Sequence, residues 1–192
     1  MFNDSISPIT LLHSRRSGKP RDMIAPGPDG AQLDTILRAA IRVPDHGKLS
    51  PWRFVIIQAE QRSALAALLI EAYHSEKPDA GRLEIDTMKQ FAFQAPTLIV
   101  ALSAPVMTSK IPLWEQQLSV GAACMNLLTA AHALGFVGSW LTGWPAYSEA
   151  VRDVFGGKEQ RIAGFLFIGT AGRPLEERPR PEFCDIVSNW HG

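Results

Sequence analysis

The chain has 192 residues, 46% of them hydrophobic, and its 19 lysines and arginines balance 19 aspartates and glutamates. That length suits a single domain, spanning 1–192, which buries about 70% of its unfolded surface. The charge balance argues against the basic excess by which proteins hold nucleic acid or anionic membrane nonspecifically, so small-molecule partners are expected.

Near the start, Ser14-Arg15-Arg16-Ser17-Gly18-Lys19 follows an apolar run of Ile9, Leu11 and Leu12. Two guanidiniums and a hydroxyl beside a glycine can form an anion clamp, because a guanidinium offers a planar fork of N–H donors to a phosphate. An Arg-Arg pair on its own reads equally as a solvated surface. Next, Leu33, Ile36, Leu37, Ala40 and Ile41 make one helical stripe, with Asp29-Gly30 at its start and Pro44 beyond its end. Arg42 leaves the end of that helix. The polar loop that follows, Pro44-Asp45-His46-Gly47, turns the chain into Trp52-Arg53-Phe54-Val55-Ile56-Ile57, which reads as a buried strand.

Leu65, Leu68, Leu69 and Ala72 repeat the helical spacing, residues 82–94 suggest a helix with a more polar face, and 96–102 read as a strand. Residues 113–134 are apolar nearly all round and rich in small side chains, which predicts a central helix packed on several sides, with Gly135 as its C-cap. Within it the apolar stretch 118–134 is broken by Ser119, Asn126, Thr129 and His132 and falls short of a comfortable membrane span. A short strand over 137–142, a helix over 147–155 and a buried strand over 162–170 complete the pattern. Helices and strands are interspersed without repeats, which predicts an α+β sheet covered by helices. From Arg173 the chain carries Pro174, Pro179 and Pro181 among charges, then Phe183-Cys184-Asp185-Ile186-Val187. Such a tail cannot bury itself and is expected to lie on a neighbour as an extended arm, 173–192.

Several chemistries have no sequence support. The histidines at 13, 46, 74, 132 and 191 form no H-E-x-x-H or Cys/His cluster, so no metal is expected. There is no G-x-S-x-G elbow, no P-loop and no Rossmann fingerprint. Cys124 and Cys184 lack ligand spacing, and no basic segment followed by an apolar core opens the chain, so a reduced, cytoplasmic protein is expected.

Taken in order, the Arg15-Arg16-Ser17 clamp, the Arg42 to His46 loop with Pro51-Trp52-Arg53-Phe54, Pro112-Leu113-Trp114-Glu115-Gln116, Gly135-Phe136-Val137-Gly138-Ser139-Trp140 and Gly164-Phe165-Leu166-Phe167-Ile168-Gly169-Thr170 resemble the FMN-dependent nitroreductase family, in particular its short NAD(P)H branch. The resemblance runs roughly from Leu11 to Pro174. It implies a mostly antiparallel sheet flanked by helices, with the C-terminal arm exchanged in a homodimer that carries FMN at its interface. It also implies that Arg15, Arg16 and Ser17 bind the ribityl phosphate and that Arg42 and His46 reach the flavin from the other chain. His46 reads otherwise as an ordinary turn residue.

Trp140, Leu141 and Thr142 align with a flavin-contacting W-R-S segment, with Leu141 replacing the arginine, so that main-chain amides, the indole and the Thr hydroxyl remain for contact. Trp140 reads otherwise as core packing. Arg173 is a further phosphate candidate, and Ala130-Ala131-His132-Ala133-Leu134-Gly135 match a nicotinamide-associated region that also reads as pure core. The implied activity is reduction of nitroaromatic, quinone or similar small acceptors by NAD(P)H in ping-pong order, with FMN carrying the chemistry and no catalytic side chain required. A flavin carrier or sensor without turnover, and a flavin-consuming or dehalogenating relative, are the alternative readings.

Overall fold

The structure is a computed structural model and describes residues 1–192. Five strands form one sheet, in which every pairing is antiparallel. The order runs β2 (Trp52–Ile57), β3 (Thr97–Ser103), β5 (Arg161–Ala171), and both β4 (Val137–Leu141) and the two-residue β1 (Met23–Ile24) pair with β5. β5 is the hub because it is long enough to pair with three strands along its length.

Side chains alternate across the pleat, and the two sets enter two cores. On one face Leu98, Val100 and Leu102 of β3 and Phe165 and Phe167 of β5 pack against α3 (Arg62–Glu76), α4 (Arg82–Ala92) and α6 (Glu149–Phe155). The edge of the Phe91 ring meets Phe165 and Phe167 at centroid distances of 5.0 and 5.4 Å. On the other face Ile99, Ala101, Leu166 and Ile168 pack against α2 (Gly30–Ala40) and α5 (Leu113–Ala133). Burial on both faces explains why β3 and β5 read as continuous apolar runs.

The helix signals act as the sequence suggests. Asp29 caps α2 by accepting from the Gln32 amide, while the Gln32 side chain answers the Asp29 amide. Gly135 ends α5 with φ +86°, the left-handed conformation that glycine adopts without a Cβ penalty.

One helix start needs correction, and one element was not foreseen. Residues 147–148 do not open a helix: 144–146 form a short turn, and Ser148 caps α6 with its own hydroxyl, so the helix begins at Glu149. The apolar run before the clamp is itself a helix, α1 (Pro8–Ser14), capped by Ser7 with Pro8 in its first turn. α5 is packed on several sides, as expected, and leaves Leu113, Trp114 and Leu118 near its start 41%, 67% and 53% exposed. The arm has no regular structure beyond one helical turn, α7 (Phe183–Ile186), and leaves Phe183, Ile186, Val187 and Trp190 exposed.

Candidate functional site

The clamp sits where α1 ends. Arg15 turns to extended backbone, and the N-terminal residues fold back over it: the Asn3 amide donates to the Ser14 carbonyl at 3.2 Å, and the Arg16 amide to Asn3 Oδ1 at 2.8 Å. Strand pairing supplies the opposite wall. β1 brings Asp22 beside the end of β5, where the Gly172 amide donates to the Asp22 carbonyl at 2.9 Å and Arg173 pairs with the Asp22 carboxylate at 3.5 Å. Between these walls lies a cavity of about 290 Å³, with Arg16, Ser17, Lys19, Arg173 and Arg178 in its lining.

The two arginines are used differently. Arg16 is buried and donates through Nε and Nη2 to the Glu176 carbonyl at 2.9 and 2.8 Å. Arg15 is half-buried, donates from Nη2 to Ser17 Oγ at 3.2 Å, and its buried Nε has no partner. Burial, then the charges of Arg180 and Arg16, lower the Arg15 pKa. A guanidinium short of a partner among like charges is a site that an anion would complete.

Arg42 and His46 lie on a loop held by α5. Asn126 Nδ2 donates to the Ala39 and Arg42 carbonyls at 2.8 and 3.2 Å, closing the end of α2, and Ser119 Oγ donates to the Pro44 carbonyl at 2.7 Å. Asp45 accepts from the Leu49 and Ser50 amides, and His46 Nδ1 stands 2.7 Å from the Glu115 carboxylate. The exposed Arg42 borders a separate groove of about 730 Å³, with Leu11, Leu12, Met125 and Thr129 beside it. Arg42 and His46 thus do not share the clamp cavity within one chain.

Trp140 and Leu141 point to opposite faces of β4, as the strand period demands. The indole lies across Gly164 and donates to the Ala163 carbonyl at 2.9 Å, whereas Leu141 packs into the core with α3 and α4. The leucine side chain is therefore unavailable at a site shared with Trp140, and Thr142, half-buried, follows where the strand ends.

The 130–135 segment divides as well. Ala131 and His132 are fully buried and their side chains belong to the core, whereas Ala133, Leu134 and Gly135 are exposed and Ala130 is half-buried. Sequence reasoning did not single out Lys19, Arg178 or Arg180 as site residues. Lys19 stood within the quoted clamp, but only the fold of the arm root shows that the other two come near it. Burial pushes the Cys124 thiol up to about 12, so it offers no thiolate. No helix is long and apolar enough to cross a membrane.

Comparison with known proteins agrees with this architecture. A model of the nitroreductase family matches residues 14–170. YdjA of Escherichia coli strain K12, provisionally named an NAD(P)H nitroreductase, is 39% identical over 163 residues, which cover 84% of this chain and 87% of that protein. Among solved structures, a nitroreductase-like family protein from Bacillus cereus superposes with a TM-score of 0.81 at 21% identity, covering 98% of each chain. A nitroreductase with bound FMN from Bacteroides fragilis superposes with a TM-score of 0.70 at 17% identity, covering 96% of this chain and 98% of that one. With the family's ordered motifs spread over the sheet and helices described above, this chain belongs to the nitroreductase family.

Proposed function

We propose that the protein is a cytoplasmic FMN-dependent oxidoreductase that uses NAD(P)H to reduce nitroaromatic, quinone or similar small acceptors. It acts as a single-domain homodimer with two flavin sites. The observation that carries this reading is the unpartnered, buried Nε of Arg15, whose Nη2 donates to Ser17 Oγ at the wall of the cavity, where Lys19, Arg173 and Arg178 set positive charge against Asp22, Glu176 and Glu177; this donor set suits a phosphate monoester. The absence of a second phosphate-binding loop favours FMN over FAD.

Arg15 and Ser17 would hold the phosphate, with Lys19 and Arg173 adding positive charge. Trp140, Leu141 and Thr142 would contribute the indole surface, main-chain amides and the Thr hydroxyl at the ring. The exposed Ala133, Leu134 and Gly135 would border the nicotinamide. Arg42 and His46 would come from the second copy, in keeping with their place outside the clamp cavity of their own chain, with the arginine beside the electron-rich edge of the ring. Exposed Leu113, Trp114 and Leu118 on α5 and the uncovered apolar residues of the arm are surfaces that a two-fold partner would bury. When bound, FMN would take a hydride from reduced nicotinamide and pass electrons to the acceptor, which fits ping-pong exchange at one open face. No side chain of the site need act as an obligatory acid or base, since solvent can protonate the products.

The test is the visible spectrum of the purified protein before and after anaerobic addition of NADPH or NADH. Bleaching of a bound flavin and its return on adding a quinone or nitroaromatic supports the proposal. A flavin that neither nicotinamide reduces points to a carrier or sensor, and loss of flavin or release of halide under oxygen points to the other relatives. Arg15→Ala should weaken FMN binding by roughly 1–3 kcal/mol, and unchanged affinity would remove Arg15 from the site.

A further inference from the structure

Residue 16 joins three distant parts of the chain. Its amide donates to Asn3 Oδ1 at 2.8 Å, its carbonyl lies 3.1 Å from His132 Nε2, and its guanidinium grips the Glu176 carbonyl through two nitrogens. Glu177 adds an ion pair at 3.1 Å from Nε, although that carboxylate is 59% exposed and contributes little alone. The Arg16 side chain is 5% exposed. Arg15, one residue earlier in extended backbone, carries the free donor instead.

Few other contacts hold the arm root. Residues 171–182 are exposed except for Leu175, which is partly buried against the α3 and α4 core. The other ties to the body of the chain are the Gly172 amide on the Asp22 carbonyl at 2.9 Å and two ion pairs with an exposed partner, Lys19 with Glu176 at 3.6 Å and Arg173 with Asp22 at 3.5 Å, while Arg180 pairs with Glu177 at 3.8 Å within the arm itself. Arg16 is the buried tie, and its acceptor is main chain, so the grip fixes the path of the backbone rather than one side chain. That path also places Arg173 and Arg178 around the cavity.

We propose that the adjacent arginines divide their work: Arg15 takes the phosphate, and Arg16 is a positioning residue that fastens the root of the C-terminal arm beside it. Arm docking and anion binding are then a single linked equilibrium. Linkage is reciprocal, so a bound phosphate holds the arm root down and a released arm root loosens the phosphate. This rests on the phosphate site proposed above.

Hydrogen exchange of the peptide amides in 173–178 reads the arm root, and FMN titration of the apo-protein reads the anion site. In the unaltered protein, saturating FMN should slow exchange at 173–178; exchange that ignores FMN overturns the coupling. Arg16→Lys, which has one nitrogen where Arg16 uses two on the same carbonyl, should speed apo-protein exchange there by about tenfold and weaken FMN several-fold, with excess FMN restoring part of the protection. Arg15→Ala should weaken FMN more than Arg16→Lys does, while apo-protein exchange at 173–178 stays as it was. An Arg16→Lys protein that loses FMN with its arm root still protected would make Arg16 a direct ligand and overturn the proposal. The apo-protein exchange involves no cofactor, so the tie to the arm can fail separately from the FMN reading. The comparison with and without FMN needs no variant at all.

Discussion

His132 and Arg16 are 116 residues apart in sequence, yet His132 Nε2 lies 3.1 Å from the Arg16 carbonyl, deep between the end of α5 and the clamp. His132 Nδ1 faces the Leu128 carbonyl at 2.6 Å, and the Gly138 amide donates towards Nε2 at 3.4 Å. A neutral ring has one N–H for two carbonyls, and a doubly protonated ring would serve both. Burial outweighs that gain and, with the Arg15 charge, lowers the pKa of His132 below 6.5.

His132 therefore makes stability depend on pH. Its pKa is lower folded than unfolded, so the contribution is complete above 6.5 and is lost as pH falls through the lowered folded value, because the unfolded chain takes up the proton first. The other four histidines are exposed. Denaturant melts between about pH 5 and pH 7 should show stability falling with acid, and His132→Gln should flatten that slope. An unchanged slope in the variant would assign the effect elsewhere.

Arg62 ties two helices together from within. Its Nη1 donates to the Ala92 carbonyl at 2.8 Å and the Gln94 carbonyl at 3.3 Å, and Nη2 donates to the Pro96 carbonyl at 3.2 Å. These acceptors include the end of α4, whose last carbonyls lack partners within the helix. Arg62→Met should cost roughly 1–3 kcal/mol by leaving them unpaired, read as a lower denaturation midpoint with unchanged slope. A loss well under 1 kcal/mol would mean that water replaces the guanidinium.

Gly164 leaves room for an indole. A β-carbon there would collide with Trp140 Nε1, which donates to the Ala163 carbonyl. Gly164→Ala should displace the ring, cost about 1–3 kcal/mol and change the tryptophan fluorescence. Unaltered emission and stability would show that the ring has space to shift without loss.

Glu84 should titrate far below an ordinary carboxylate. The Lys77 ammonium, the Gly81 amide and the Tyr73 hydroxyl hold its pKa near about 2 rather than 4.5. The stability tied to this ionisation is present above 4.5 and is lost as pH falls through about 2. Carboxyl-carbon NMR should place the titration there, and Lys77→Ala should move it upward. A wild-type value near 4.5 would show that the three donors do not hold the carboxylate in solution.

Sequence by itself determined the main elements and their order, because each rests on a local rule. Short continuous apolar runs mark β2, β3 and β5, the Asp29 box starts α2, and Gly135 stops α5 at its positive φ. It also showed the cation-rich clamp, since Arg15, Arg16 and Ser17 are contiguous. Tertiary structure decided what those residues do. No local spacing says that Arg16 turns to Glu176 while Arg15 keeps a free donor, that His132 closes on the Arg16 carbonyl, or that Leu141 faces away from Trp140 at the core. The short α1 and β1 escaped notice for the same reason: seven and two residues carry too little periodicity, and both are held mainly by partners far along the chain.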